Sequence, residues 1–419
     1  MKLSSFMPRI FATAALLVSI LSCSENLDSS GTCPVLCPQI GGDVQNITID
    51  AVVIDTTVPA LSGLGTEPGL LLAFRGDTLD TRVVVRFDSL PATFIPVGDT
   101  ARPITSVDSA YVQFTLDTLS IKGTDPVTIE AYDVDTTAND TSTAAVLALF
   151  RPDRFISSQT FARTQLTDTL KYFISNATVL AKIQGNARLR IGLRATGPGS
   201  SQMRIISTEG GFAPVMFFRA TPDTTTKPLT VTLLSKTPVG ESILAINLED
   251  YTVIAKGPPP APPSVLAVGG LPAHRVYILF NIPSSIIDSS TVVRATLLLN
   301  QLPNNAIDPS DTVFVLPQVV LAGKAVTDPA KAAQIIGSIS VDTLKLKPGS
   351  SGTTNVELAR AFTLWHTQQP DSLPRAIVLK SVVEGNSPLE LRFSSSEDVV
   401  ALRPRLRISY TKTVPLGLP

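Results

Sequence analysis

Histidine is almost missing from this 419-residue chain, which has only His274 and His366. A hydrolase triad needs a histidine within reach of serine and an acid. Zinc sites are built from His and Cys. Neither chemistry has much to work with here. Cysteine is as scarce, with Cys23, Cys33 and Cys37 alone. Two cysteines beyond position 23 cannot staple a body of this size, so its core must come from apolar burial. Charged residues make up only 16% of the chain and the formal net charge is −1. Residues 1–22 hold Lys2 and Arg9 and no acid, so the remainder carries −3. That balance leaves no electrostatic footprint for nucleic acid and no polybasic patch for a membrane surface. No segment after the N-terminus reaches ~20 uninterrupted apolar residues, so nothing there reads as a spanning helix. A Gly-x-Ser-x-Gly elbow, a Walker loop and a dinucleotide fingerprint are all lacking. No cofactor is implied, and the expectation is a protein that is not an enzyme.

What is present is Thr, Val, Ser and Pro in quantity, with 44% hydrophobic residues. This is too apolar for a disordered chain. β-branched residues pack well on a pleated surface, so the composition leans to all-β. The N-terminus carries a local signal of its own. Lys2 and Arg9 precede a short apolar run, Ile10 to Leu21, and then Ile20-Leu21-Ser22-Cys23. That tetrapeptide resembles the lipobox of bacterial lipoproteins, in which a small residue precedes a cysteine that takes a diacylglyceryl group; Leu21 is bulkier than usual there. The resemblance implies a signal peptide over 1–22 and lipidation at Cys23. It implies a cell-envelope location, and Ser24 points to the outer membrane. Residues 23–44 read as a polar tether. Within it Cys33 and Cys37 could form a local disulfide in an oxidising compartment, or remain thiols.

Beyond the tether the pattern is strand, turn, strand. Arg82 to Phe87 is a short apolar strand. Ser109 to Leu116 alternates around Tyr111, Gln113 and Thr115, and Val127 to Tyr132 follows a Gly123-Thr124-Asp125-Pro126 turn. Many short strands separated by turns predict a sandwich or jelly roll. Thr143 to Phe150 and Pro329 to Ile336 are candidate short helices. A weak internal repeat runs through the chain. Arg82–Phe87 recurs at Arg275–Phe280, an offset of 193. Ala110 recurs at Ala295 (185), Leu193 at Leu379 (186) and Glu209 at Glu397 (188). Four matches in the same order predict a duplicated domain. The predicted division is 45–222 and 227–411, with a turn-rich boundary near Thr221 to Pro228 and a tail at 412–419. Pro258 to Pro263 should be an extended surface loop.

The second copy carries Arg275 to Phe280, then Arg294-Ala295-Thr296-Leu297-Leu298-Leu299. It closes with Leu391-Arg392-Phe393-Ser394-Ser395-Ser396-Glu397 and Arg403-Pro404-Arg405-Leu406-Arg407-Ile408-Ser409-Tyr410. The first copy has Val85-Arg86-Phe87-Asp88-Ser89-Leu90-Pro91 but a degraded final strand. These strand patterns resemble the DNRLRE domain family, extracellular modules related to carbohydrate-binding modules. The resemblance implies two tandem jelly-roll-like β-sandwiches and, more weakly, a polysaccharide ligand. On the residues alone, Leu406 and Ile408 should share one strand face, and Arg403 should pair with Glu397 or cap a strand end.

Candidate sites are few. Trp365 and His366 could stack on a sugar ring, or Trp365 could anchor the core beside Phe362 and Leu364. His274 should lie at an exposed strand end. Asp133, Asp135 and Asp140 form an oxygen-rich cluster that could hold Ca²⁺, or a solvated loop. The functional expectation is a non-catalytic, lipid-anchored envelope protein that binds polysaccharide or another surface component. A structural lipoprotein with protein partners is the alternative, and a polysaccharide-active enzyme a more distant one.

Overall fold

The computed structural model describes residues 43–60, 65–87, 90–95, 100–123, 126–135, 142–220, 229–232, 250–338, 343–367 and 373–412. In chain order its strands are β1 (Gln45–Ile49), β2 (Val52–Pro59), β3 (Gly69–Arg75), β4 (Leu79–Phe87), β5 (Thr93–Phe94), β6 (Arg102–Pro103), β7 (Val107–Lys122), β8 (Val127–Asp133), β9 (Phe155–Phe161), β10 (Thr169–Phe173), β11 (Leu189–Thr196), β12 (Ser201–Ile206), β13 (Val215–Ala220) and β14 (Leu229–Thr232). They continue as β15 (Asp250–Lys256), β16 (Val265–Gly269), β17 (His274–Phe280), β18 (Ser290–Leu302), β19 (Val313–Val320), β20 (Ile336–Ser338), β21 (Leu344–Leu346), β22 (Gly352–Glu357), β23 (Ala376–Ser381), β24 (Glu390–Ser394) and β25 (Arg405–Lys412). Among the described residues five short helices interrupt them: α1 (Thr143–Leu147), α2 (Asn176–Gln184), α3 (Ser284–Ile287), α4 (Pro329–Ala332) and α5 (Ala359–Thr367). The protein is therefore mostly β, as the composition predicts. Helices fall at both expected places, and α2, α3 and α5 are additions that strand periodicity did not reveal.

Two large antiparallel sheets hold nearly all the strands. The first runs β14-β13-β7-β12-β3-β4-β11-β8-β9, with β10 on β7 and β15 on β4. The second runs β1-β25-β18-β24-β16-β17-β23-β19-β20, with β2 on β17, β21 on β19 and β22 on β18. Each curls so that its distant strands meet over one core. In the first sheet Val83, Val85 and Phe87 of β4 meet Val112 and Phe114 of β7 and Met216 and Phe218 of β13. In the second, Val276 and Ile278 of β17 meet Leu297 of β18 and Leu406 and Ile408 of β25. Burying each such side chain contributes about 1.5–3 kcal/mol. Period-two alternation supplies this inner face: Leu406 and Ile408 are buried while Arg407 between them is exposed. Arg403 caps a turn, its Nε donating to the Asp398 carbonyl at 2.7 Å.

Sheet membership departs from the expected division at 45–222 and 227–411. β1 and β2 lie at the start of the chain, yet they pair with β25 and β17 of the second sheet. β14 and β15 stand after the expected boundary, yet they pair with β13 and β4 of the first. Each sheet is thus completed by two strands from the segment preceding the other. The division cuts across both sheets because strand pairing, not order along the chain, satisfies the edge N–H and C=O groups.

The two sheets meet through a small apolar cluster of Leu71, Ala73 and Leu79 with Leu271 and Ile307. Beside it Asp308 accepts from Arg75 Nη2 and from Lys122 Nζ, both at 2.7 Å. Lys122 also pairs with Asp311. Burial pushes the Asp308 carboxyl up, but hydrogen bonds from Lys122 and Arg75 outweigh it and hold the carboxyl below its ordinary value.

Candidate aromatic site on the first sheet

The outer face of the first sheet carries an aromatic row. On β7, Ala110, Val112 and Phe114 point into the core, so Tyr111 and Gln113 point out. On β10, Leu170 and Tyr172 are buried, which turns Lys171 and Phe173 outward. On β13, Met216 and Phe218 are buried and Phe217 faces out. Register then brings three of these together: Phe173 lies opposite Tyr111, and Tyr111 opposite Phe217. The Tyr111 and Phe217 rings stack at 5.2 Å with a 21° interplanar angle. Phe173 tilts against Tyr111 at 5.9 Å. Lys171 Nζ stands 5.3 Å from the Tyr111 ring centroid. Phe173 is 57% exposed, which a fold-stabilising aromatic has no reason to be.

Phe173 is held from behind. Gln159 Nε2 of β9 donates to the Phe173 carbonyl at 2.9 Å. The buried Tyr172 hydroxyl donates to the carbonyl of Ser157 at 2.9 Å. These bonds tie β9 to β10 and fix the end of the row. Individual alternation was legible around Tyr111, but the row itself needs the register of three strands whose residues, Tyr111, Phe173 and Phe217, spread over 106 positions of the chain.

The equivalent place on the second sheet is different. There Thr296 of β18 lies opposite Glu357 of β22 and Arg407 of β25. The offset from Tyr111 to Thr296 is 185, that of the Ala110–Ala295 match. A charged rung, Glu357–Thr296–Arg407, stands where the first sheet has Phe173–Tyr111–Phe217. The same strand arrangement therefore forms without aromatic residues at these positions.

The residues singled out from sequence fall elsewhere. Trp365 is on α5, 4% exposed, against Phe280 and Phe362 at 6.1 and 5.3 Å. With its ring enclosed it offers no face to a sugar, so the stacking expectation is corrected in favour of a core anchor. A helical turn put Phe362 and Trp365 on one buried stripe, which a strand-based reading does not show. His366 is exposed, and its Nδ1–H donates to the Ile287 carbonyl at 2.8 Å. His274 begins β17 half-buried, 4.0 Å from Glu390. Asp133 and Asp135 face cations: Lys182 Nζ is 2.8 Å from Asp133, and Arg188 Nε is 2.5 Å from Asp135. The two described carboxylates are thus paired with protein cations, and no metal-binding cluster occurs among the described residues. Asp140, Cys23, Cys33 and Cys37 lie outside the described residues.

A concavity of about 730 Å³ opens on the outer face of the second sheet beside β2 and β17. Val53, Ile54, Leu279 and Val326 supply its apolar wall, with Tyr277 and Arg375 among its polar groups. Burial raises the Tyr277 phenol above its ordinary value. Arg375 is committed to the fold, donating to the Ile282 carbonyl at 2.7 Å and lying 3.6 Å from Asp288.

No protein-family pattern matches the chain. No curated protein matches it either. Among solved structures, a protein described as secreted from Parabacteroides distasonis aligns at 10% identity over 86% of this chain and 100% of its own, with a TM-score of 0.18. The infectious bursal disease virus T13 particle aligns at 9% identity over 90% of this chain and 76% of its own, with a TM-score of 0.13. A Macrobrachium rosenbergii nodavirus structure aligns at 7% identity over 93% and 98%, with a TM-score of 0.10. Scores this low carry no argument about fold or function. No helix among the described residues is long and apolar enough to cross a membrane.

Proposed function

We propose that this protein is a non-catalytic, lipid-anchored envelope protein whose two curled sheets are jelly-roll-like modules, and that the first module binds polysaccharide through the row Phe173–Tyr111–Phe217. The observation that carries the reading is the contrast between the modules: the aromatic row is present in one and replaced by Glu357–Thr296–Arg407 in the other. Aromatic residues that the fold does not require, one of them 57% exposed, need another reason to be kept at the surface. Ring edges and the open face of Phe173 suit the apolar face of a pyranose. Lys171 and Gln113 on the adjoining rung are placed to hydrogen-bond its hydroxyls. The lipobox-like segment supports anchoring to the envelope.

The test is a glycan-array screen of the native chain beside Phe173→Ala and Trp365→Ala. Selective binding should weaken about tenfold in Phe173→Ala, equivalent to ~1.4 kcal/mol. In Trp365→Ala it should change only as far as folding does. Failure of the native chain to bind any glycan would sink the reading and leave the row as a contact for protein partners.

A further inference from the structure

The exchange of strands between the two sheets repeats itself in atomic detail. Asp55 on β2 accepts from the backbone N–H of Ser396 at 2.6 Å and from its hydroxyl at 2.5 Å. Asp250 on β15 accepts from the N–H of Thr208 at 2.9 Å and from its hydroxyl at 3.1 Å. Two residues on, Thr57 Oγ1 accepts from the Ala267 N–H and Thr252 Oγ1 from the Leu71 N–H, both at 2.9 Å. The strand registers agree as well. Asp55 lies opposite Ile278, and Asp250 opposite Val85. From Asp250 back to Asp55 is 195 residues, and from Ile278 back to Val85 is 193. The same Asp-x-Thr strand is thus read by the same groove twice, once in each sheet, and each time the strand comes from the other module's leading segment.

We infer that each sheet carries a strand-acceptor groove specific for an Asp-x-Thr strand, and that the segment 45–59 of a second copy of this chain can occupy the groove on β17, giving strand-exchanged dimers. Four physical points support this. The second sheet takes β1 and β2 from more than 200 residues away in the chain, so it does not close on its own sequence-adjacent strands. An exchange between chains makes the same pairings and the same carboxylate hydrogen bonds as the exchange within one, so it costs little beyond association. The connectors, 60–68 and 257–264, are nine and eight residues long. The second of them holds Pro258, Pro259, Pro260, Pro262 and Pro263, which favour an extended spacer over a tight return. Within a single chain the donor has an effective concentration of about millimolar order, so the closed monomer dominates in dilute solution and exchange grows with crowding.

The experiment uses the full chain with Cys23, Cys33 and Cys37 each replaced by Ser. One version carries Ile54→Cys and another Leu279→Cys; these two positions lie directly opposite each other on β2 and β17. The two are mixed unfolded, refolded at concentrations from about 1 µM to about 100 µM, and treated with a short bis-maleimide. Interchain cross-linking should rise roughly in proportion to concentration. It should fall at least tenfold when the Ile54→Cys chain also carries Asp55→Ala and Thr57→Ala. A single chain bearing both cysteines should cross-link internally throughout. Internal cross-linking with none between chains at any concentration overturns the proposal. So do dimers, seen by light scattering, that never cross-link between 54 and 279. If the cysteine variants do not fold, the native chain refolded at both extremes decides: monomer alone at the higher concentration refutes the inference, and a dimer that survives dilution supports it. The outcome does not depend on the glycan reading.

Discussion

Arg275 provides the sharpest test of how the second sheet is held together. Its guanidinium donates Nε to Glu384 Oε1 at 2.8 Å and Nη2 to Oε2 at 2.7 Å. Nη1 donates to the Ala333 carbonyl at 2.7 Å and to Gln334 Oε1 at 3.0 Å. The Arg275 and Glu384 side chains are 8% and 7% exposed, so the pair is desolvated. Replacing Arg275 with Ala leaves a buried carboxylate whose remaining cation, Lys380 Nζ, lies at 3.5 Å and is 31% exposed. Breaking a buried pair from one side costs about 3–5 kcal/mol. The partial compensation from Lys380 puts the expected loss at the lower end. Replacing both partners, as Arg275→Met with Glu384→Leu, removes the stranded charge and should recover most of the loss. Thermal unfolding of the full chain should show a melting temperature lower on the order of 10 °C for the single variant. Hydrogen exchange along β17 should accelerate in that variant and return toward the native rate in the double one. A single variant within about 2 °C of native, or a double variant as damaged as the single, would show that the pair is not the restraint argued here.

Other expectations follow from the same reasoning. Trp365→Ala should lose about 3–5 kcal/mol by opening a cavity against Phe280 and Phe362, whereas Phe173→Ala should cost under about 1 kcal/mol because the ring is mostly exposed; chemical denaturation of the pair separates core from surface. Gly192→Ala should destabilise by about 1–3 kcal/mol, since a Cβ there would come within 2.5 Å of Phe150 Cζ and 2.7 Å of Val134 Cγ1. Asp308 has a folded-state pKa below its unfolded value, so its contribution is present above the ordinary carboxylate range and fades as pH falls through the lowered folded value. Asp308→Asn should therefore be less stable than native at neutral pH, with the two curves converging as acid protonates the native carboxyl. A gap that stays constant with pH would argue that the Arg75 and Lys122 contacts contribute nothing through charge.

Much of the β architecture was legible from local chemistry. Alternation around Tyr111, Leu406 and Ile408 gave the faces of β7 and β25, because the side-chain period of two is a property of the strand itself. The Arg82 and Arg275 strands stood out because both are short apolar runs that open with arginine. Their matched pairing with β11 and β23 shows why the repeat was detectable at all: the registers are the same in both sheets. The helical placement of Trp365 was missed, since nine residues of α5 inside a strand-rich chain leave a weak periodic signal. Asp133 and Asp135 read as a free oxygen cluster because Lys182 and Arg188, which neutralise them, are about fifty residues away in sequence.

The sequence by itself determined that this chain would form short antiparallel strands around apolar cores. That follows from composition and period, which act locally. Which strands become neighbours was decided only in three dimensions. Asp55 meets Ser396 across 341 residues, and Phe173, Tyr111 and Phe217 form a row only because β10, β7 and β13 fall into register. Pairing is settled by which edge satisfies a strand's backbone groups and buries its inner face at once. Such a choice depends on distant parts of the chain, and no local pattern records it.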